Sequence, residues 1–154
     1  MNKEDKLKLY DHVIRLGSIE HQDYKLKEEL FEQGTELIRV QTGRNKANSK
    51  DIIEEHADCI IMLEQYARNH FKEDLIDYKL KEEVQFDNIV FYSTVVIQNI
   101  IKKFEYKPNI DILYSYMLSH ISKLGIMPLV EIVKDCKLKR LLERVRCGGI
   151  LEKQ

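Results

Sequence analysis

The sequence predicts an all-α fold, a helical bundle in a single domain over residues 1–154. Three observations carry this. Only two prolines and six glycines interrupt the 154 residues. Apolar residues recur at intervals of three and four, and no stretch alternates apolar with polar as a half-buried strand would. The elements follow from the punctuation. A first helix spans about 4–16 and stops at Gly17. Ser18 caps the next, which carries Leu26, Leu30, Leu37 and Val40 out to about Gln41. TGRNKANSK, residues 42–50, is the clearest loop, and Ser49 caps a third helix through about Asn69. Further helices are expected at about 72–85, 88–104, 110–124 and 128–146, with breaks at EYKPN, GIMP and the terminal CGG.

Composition narrows the function classes. The chain has 44% hydrophobic residues, enough for a core. Lysine plus arginine number 25 against 26 acids, so net charge gives no reason to expect a nucleic-acid or membrane partner. The opening MNKEDKLKLYDH lacks the apolar centre of a signal peptide, and no uncharged run approaches the roughly 18 residues of a membrane span. The expected location is cytoplasmic. Cys59, Cys136 and Cys147 include no CxxC pair, which fits a reducing compartment. No Gly-rich phosphate loop, G-x-S-x-G elbow, zinc signature or E-x-x-H di-iron motif is present.

The order of features after residue 86 follows the order before it, at an offset of about 60. ELFEQGTELIRV lies on IVFYSTVVIQNI, and DIIEEHAD lies on DILYSYML. A decayed duplication and a chance likeness of two amphipathic halves both account for this. The expected organisation is two tandem pseudo-repeats, an acidic half over about 18–85 and a degenerate half over about 86–147. Where the first has Glu32, Gln33, Glu36, Glu55 and Asp58, the second has Tyr92, Ser93, Val96, Ser115 and Leu118.

Those five residues form the candidate site. In FEQGTEL, residues 31–37, Glu32 and Gln33 share a helical stripe with Glu36, with Cβ atoms about 5–6 Å apart, and Glu55 and Asp58 pair likewise on the next helix. A symmetric antiparallel hairpin sets Glu36 level with Glu55, and Glu32 and Gln33 level with Asp58. Clustered acids repel one another unless a hard divalent cation sits between them. Solvated helix faces are the competing explanation in a chain that is 33% charged. His56 sits beside Glu55 but points about 100° away from it. Arg39 and Arg44 are candidate phosphate partners near the loop.

FEQGTEL followed by EEHADCIIMLEQ, residues 54–65, resembles the E-E-x-x-E and E-x-x-D signature of the all-α nucleoside triphosphate pyrophosphohydrolases, the MazG-like group related to the dimeric dUTPases. KLKRLLERV, 137–145, is similar to the basic terminal helix of short members. The likeness covers about residues 24–81 well. It implies magnesium, or manganese, as cofactor and hydrolysis of an NTP or dNTP to the monophosphate and pyrophosphate. Carried over, it makes Gln33, Glu36, Glu55 and Asp58 the metal ligands and Glu32 the group that orients or deprotonates water. Basic side chains must then cover the remaining phosphate oxygens; the candidates are Lys79, Lys137 and Arg140, of which Lys79 and Lys137 match the family's basic helix. Gln33 departs from the family, which has glutamate there. Glu29, three residues before Glu32, is a substitute ligand, and restoring glutamate at 33 is expected to raise turnover. The alternative is a catalytically impaired nucleotide-binding or protein-interaction bundle, monomer or homodimer.

Overall fold

The computed structural model describes residues 1–73, 75 and 84–147. Six helices and no strand occur among the described residues: α1 (Lys3–Leu16), α2 (Ile19–Gln41), α3 (Lys50–Phe71), α4 (Phe86–Ile101), α5 (Lys107–Lys123) and α6 (Met127–Arg146). The expected helix over 72–85 falls mostly outside the described residues. Of that span, 72, 73, 75, 84 and 85 are not helical.

Side chains fix the helix starts. Asn2 accepts from the Asp5 amide, Ser18 from that of His21, and Ser49 from that of Ile52 at 3.3 Å. Each satisfies a backbone donor that the first turn leaves free, worth about 1 kcal/mol. Gln85 and Asn88 make a reciprocal capping box at the start of α4. Proline occupies the first turns of α5 and α6, where its missing N–H costs nothing. Gly125, at φ +72°, takes the left-handed turn between those helices, a conformation that a side chain disfavours.

Four helices, α2 to α5, enclose the main core. Leu26, Leu30 and Leu37 of α2 meet Ile52, Ile60 and Leu63 of α3, and Ile89, Leu113, Met117 and Ile121 close the opposite wall. Burying each contributes about 2 kcal/mol. The helices α1 and α6 pack on the outer flank of α3 over a smaller core of Leu9, Tyr10, Val13, Ile61, Leu138 and Val145. Thus α3 is sandwiched, touching α1, α2, α5 and α6, and is the most deeply buried element. None of the described helices is long and apolar enough to cross a membrane.

One polar cluster ties the two cores together. Glu64 of α3 is buried and accepts from the Tyr10 and Tyr114 hydroxyls, each at 3.0 Å, and from Lys134 at 3.0 Å; Lys6 lies 2.9 Å away. Burial alone would raise this carboxyl, but the ammonium groups of Lys134 and Lys6 outweigh it and hold it below its ordinary value.

Candidate metal centre

The site is built by the α2–α3 hairpin, and its register decides which acids meet. Gln33 Nε2 donates to His56 Nδ1 at 2.9 Å, and the Cys59 thiol donates to the Glu29 carbonyl at 3.2 Å. A symmetric hairpin would place residues 35 and 32 opposite 56 and 59. The observed partners are 33 and 29, an offset of two to three residues. Glu29 is thereby drawn into the level of Asp58 and Glu55.

Ligand-capable oxygens of Glu29, Glu55 and Asp58 lie within 4.8 Å of one another, as do those of Glu28, Glu29 and Glu32. Glu29 belongs to both groups. It is buried, and its Oε2, like Oε2 of Glu55, is enclosed without a hydrogen-bond partner among the described residues. Burial, then the fields of Asp58 and Glu32, push the Glu29 carboxyl up to about 8; Lys25, 3.9 Å away, only partly offsets this. Burial, then Glu32, Asp58 and Glu36, push Glu55 up to about 7. Two buried carboxylate oxygens without a partner, set among like charges, fit a divalent cation, whose charge would offset that repulsion. The all-oxygen donor set suits a hard ion, magnesium or manganese, rather than a soft one.

The other sequence candidates take different places. Glu32 is exposed at the rim and acts on Glu55 through its charge. Gln33 is fully buried against His56, with its Oε1 unpartnered among the described residues. That imidazole is neutral, held down to about 3 by burial and then by His120. Glu36 lies toward the loop, accepting from Asn45 Nδ2 at 3.0 Å, with Arg39 at 3.5 Å. It is in neither grouping of acids. Lys137 of α6 forms an ion pair with Asp58 at 2.8 Å. Lys79 lies outside the described residues.

A cleft of about 650 Å³ opens beside these acids, between α2, α3 and α6. Glu29 and Asp58 line one bank; Lys137, Arg140 and Arg144 line the other, with Lys25 beside the acids. The floor is aliphatic, with Val13, Ile61 and Leu138. Lys25, Glu28 and Arg144 were not anticipated. A signal for the acids was nonetheless in the chain: EELFE, residues 28–32, reads E-E-x-x-E without substitution, four residues ahead of EQGTE. In that frame Glu29 takes the place at which the later frame has Gln33.

No family model, curated protein or solved structure matches the chain. The functional reading therefore rests on the geometry of the hairpin and its cleft.

Proposed function

We propose that the chain is a magnesium-dependent nucleoside triphosphate pyrophosphohydrolase of the MazG-like type, cleaving an NTP or dNTP to the monophosphate and pyrophosphate. The observation that carries this is the convergence of Glu29, Glu55 and Asp58 within 4.8 Å, beside a cleft that Glu29 and Asp58 line together with Lys25, Lys137, Arg140 and Arg144. A triphosphate needs both parts: acids that hold a hard cation, and fixed positive charge for the oxygens the cation leaves uncovered.

Glu29, Glu55 and Asp58 would hold the ion, with Glu28 and Glu32 bordering a second position that shares Glu29. When bound, magnesium neutralises phosphate charge and makes a bound water more acidic. Glu32, exposed beside the acids, would accept the proton as water oxygen bonds to phosphorus and the α–β phosphoanhydride bond breaks. Lys137, Arg140 and Arg144 orient the chain of phosphates. Lys137, now paired with Asp58 at 2.8 Å, would turn to a phosphate oxygen if Asp58 served as a ligand. On this reading α2–α3 and α4–α5 are two copies of one hairpin. In the second, buried Ser93, Ser115 and Leu118 stand where the first has Gln33, Glu55 and Asp58.

The test is pyrophosphate release across the common NTPs and dNTPs, with magnesium or with chelator, beside Asp58→Ala. Release that needs the metal and is lost in the variant supports the proposal. Binding of magnesium and triphosphate without release fits the nucleotide-binding alternative instead, and no binding at all overturns both.

A further inference from the structure

His70, in the last turn of α3, lies away from the cleft and has both ring nitrogens engaged. Nε2 lies 2.9 Å from each carboxylate oxygen of Asp23, near the start of α2. Nδ1 lies 2.9 Å from Oε1 of Glu105, in the connection between α4 and α5. One imidazole thus joins the end of α3 to the other helix of its own hairpin and to the turn of the next. An ionised carboxylate only accepts, so both contacts are hydrogen bonds only while both nitrogens carry a proton. A neutral ring has one N–H and must turn a lone pair toward the other acid.

The surroundings hold the ring in its charged form. Tyr66 of α3 packs against it, with ring centroids 4.2 Å apart. A hollow of about 200 Å³ beside it is lined by Glu20, Asp23 and Tyr24 of α2 and by Lys103 and Glu105 of the connection, so three acids face the imidazole against one lysine. Burial alone would lower His70, but the bonds and charges of Asp23 and then Glu105 outweigh it and hold it above its ordinary 6.5. Tyr66, pushed up by burial and then by the same two acids, stays neutral.

We propose that His70 is a proton-operated latch: as imidazolium it ties the α4–α5 connection to the end of α3, and on losing a proton it keeps Asp23 and releases Glu105. Exposure decides which acid is kept. The Asp23 side chain is 19% exposed and that of Glu105 53%, so water can solvate a released Glu105 but not an abandoned Asp23. Lys107 at the start of α5 also reaches Glu73, just past α3, at 3.5 Å. That ammonium stays charged through neutral pH, so only the His70 tie responds there. The latch contributes fully below 6.5 and is lost as pH rises through the raised value.

The inference is independent of what the cleft binds. The experiment is an NMR titration of the isotope-labelled full chain, with His70→Gln to assign the ring signals. It follows the His70 nitrogens and the exchange protection of the Lys102, Lys103 and Phe104 amides, which donate to carbonyls at the end of α4. The ring should titrate above 6.5, passing from doubly protonated to the Nε2–H tautomer. Protection of the three amides should fall about threefold across the same titration, the worth of one ion pair near the surface. In Glu105→Gln an amide can either accept from Nδ1 or donate to it, so protection should stay constant and the ring should titrate lower. Glu73→Gln, which touches only the Lys107 pair, should respond as wild type does. Titration at or below 6.5, a neutral ring protonated at Nδ1, or protection that is equal on both sides of the titration overturns the inference. So does a response that persists in Glu105→Gln or vanishes in Glu73→Gln.

Discussion

Lys137 of α6 and Asp58 of α3, both lining the cleft, meet at 2.8 Å, a cation held where a divalent ion is proposed to sit. The pair is about a quarter exposed on each side, so its own contribution to stability is small, on the order of 1 kcal/mol or less. Its removal should separate two effects. Lys137→Met is expected to shift Tm by only a few degrees and to tighten magnesium binding in the absence of nucleotide, because Asp58 loses its competitor. It should raise KM for the triphosphate about tenfold, the equivalent of roughly 1.4 kcal/mol. Calorimetry without nucleotide and steady-state kinetics measure the two halves.

The buried acids make metal and pH linked. Glu29 rises to about 8 in the fold from an ordinary 4.5, so the folded state retains a proton that the unfolded state releases. Its contribution is fully present below about 4.5 and is lost as pH rises through about 8. In chelator, therefore, Tm should decline across that window. Saturating magnesium should remove most of the decline, raising Tm more at pH 8 than at pH 5. Equal stabilisation at both pH values would contradict the placement of Glu29 among the ligands. Thermal denaturation in paired buffers decides it.

Gln33→Glu changes meaning once the structure is known. The family resemblance implies a gain in turnover, but position 33 is fully buried against a neutral imidazole. A carboxylate there has no cationic partner in reach among the described residues and should cost about 3 kcal/mol, lowering Tm by roughly 10 °C. Pyrophosphate release should not rise. A variant both stable and faster would place the metal nearer Gln33 than Glu29.

Glu64 should govern acid stability. Its carboxyl is held below the ordinary 4.5, so its contribution is present above 4.5 and is lost as pH falls through the lowered value. Glu64→Ala leaves Lys134 and Lys6 without the carboxylate that faces them, and about 3–5 kcal/mol of destabilisation is expected. Urea denaturation at neutral pH reads this directly. A loss below about 1 kcal/mol would mean that the cluster is peripheral to the fold.

Much of the architecture was legible because helix boundaries are written locally. Ser18, Ser49, Gly17 and the two prolines act within a turn of themselves, and the helices they delimit agree with expectation to within three residues. Glu55 and Asp58 were legible for the same reason, being one turn apart on a single helix. Which acid across the seam joins them was less so, since Glu29 enters the sequence reading only as a substitute for Gln33. It depends on how the 42–49 connection staggers two helices, and an offset of two to three residues moves the acidic level from Glu36 to Glu29. Nor was Lys25 or Arg144 apparent, since each enters the cleft only once α6 has docked on α3.

The central claim is that Glu29, Glu55 and Asp58 jointly hold a hard cation. Isothermal titration of magnesium into chelator-treated protein, repeated with Glu29→Gln, Asp58→Asn and Glu36→Gln, tests it most directly. Binding should be saturable, weaken at least about tenfold in the first two variants and change little in the third. Undiminished affinity in Glu29→Gln and Asp58→Asn, or loss confined to Glu36→Gln, would contradict it.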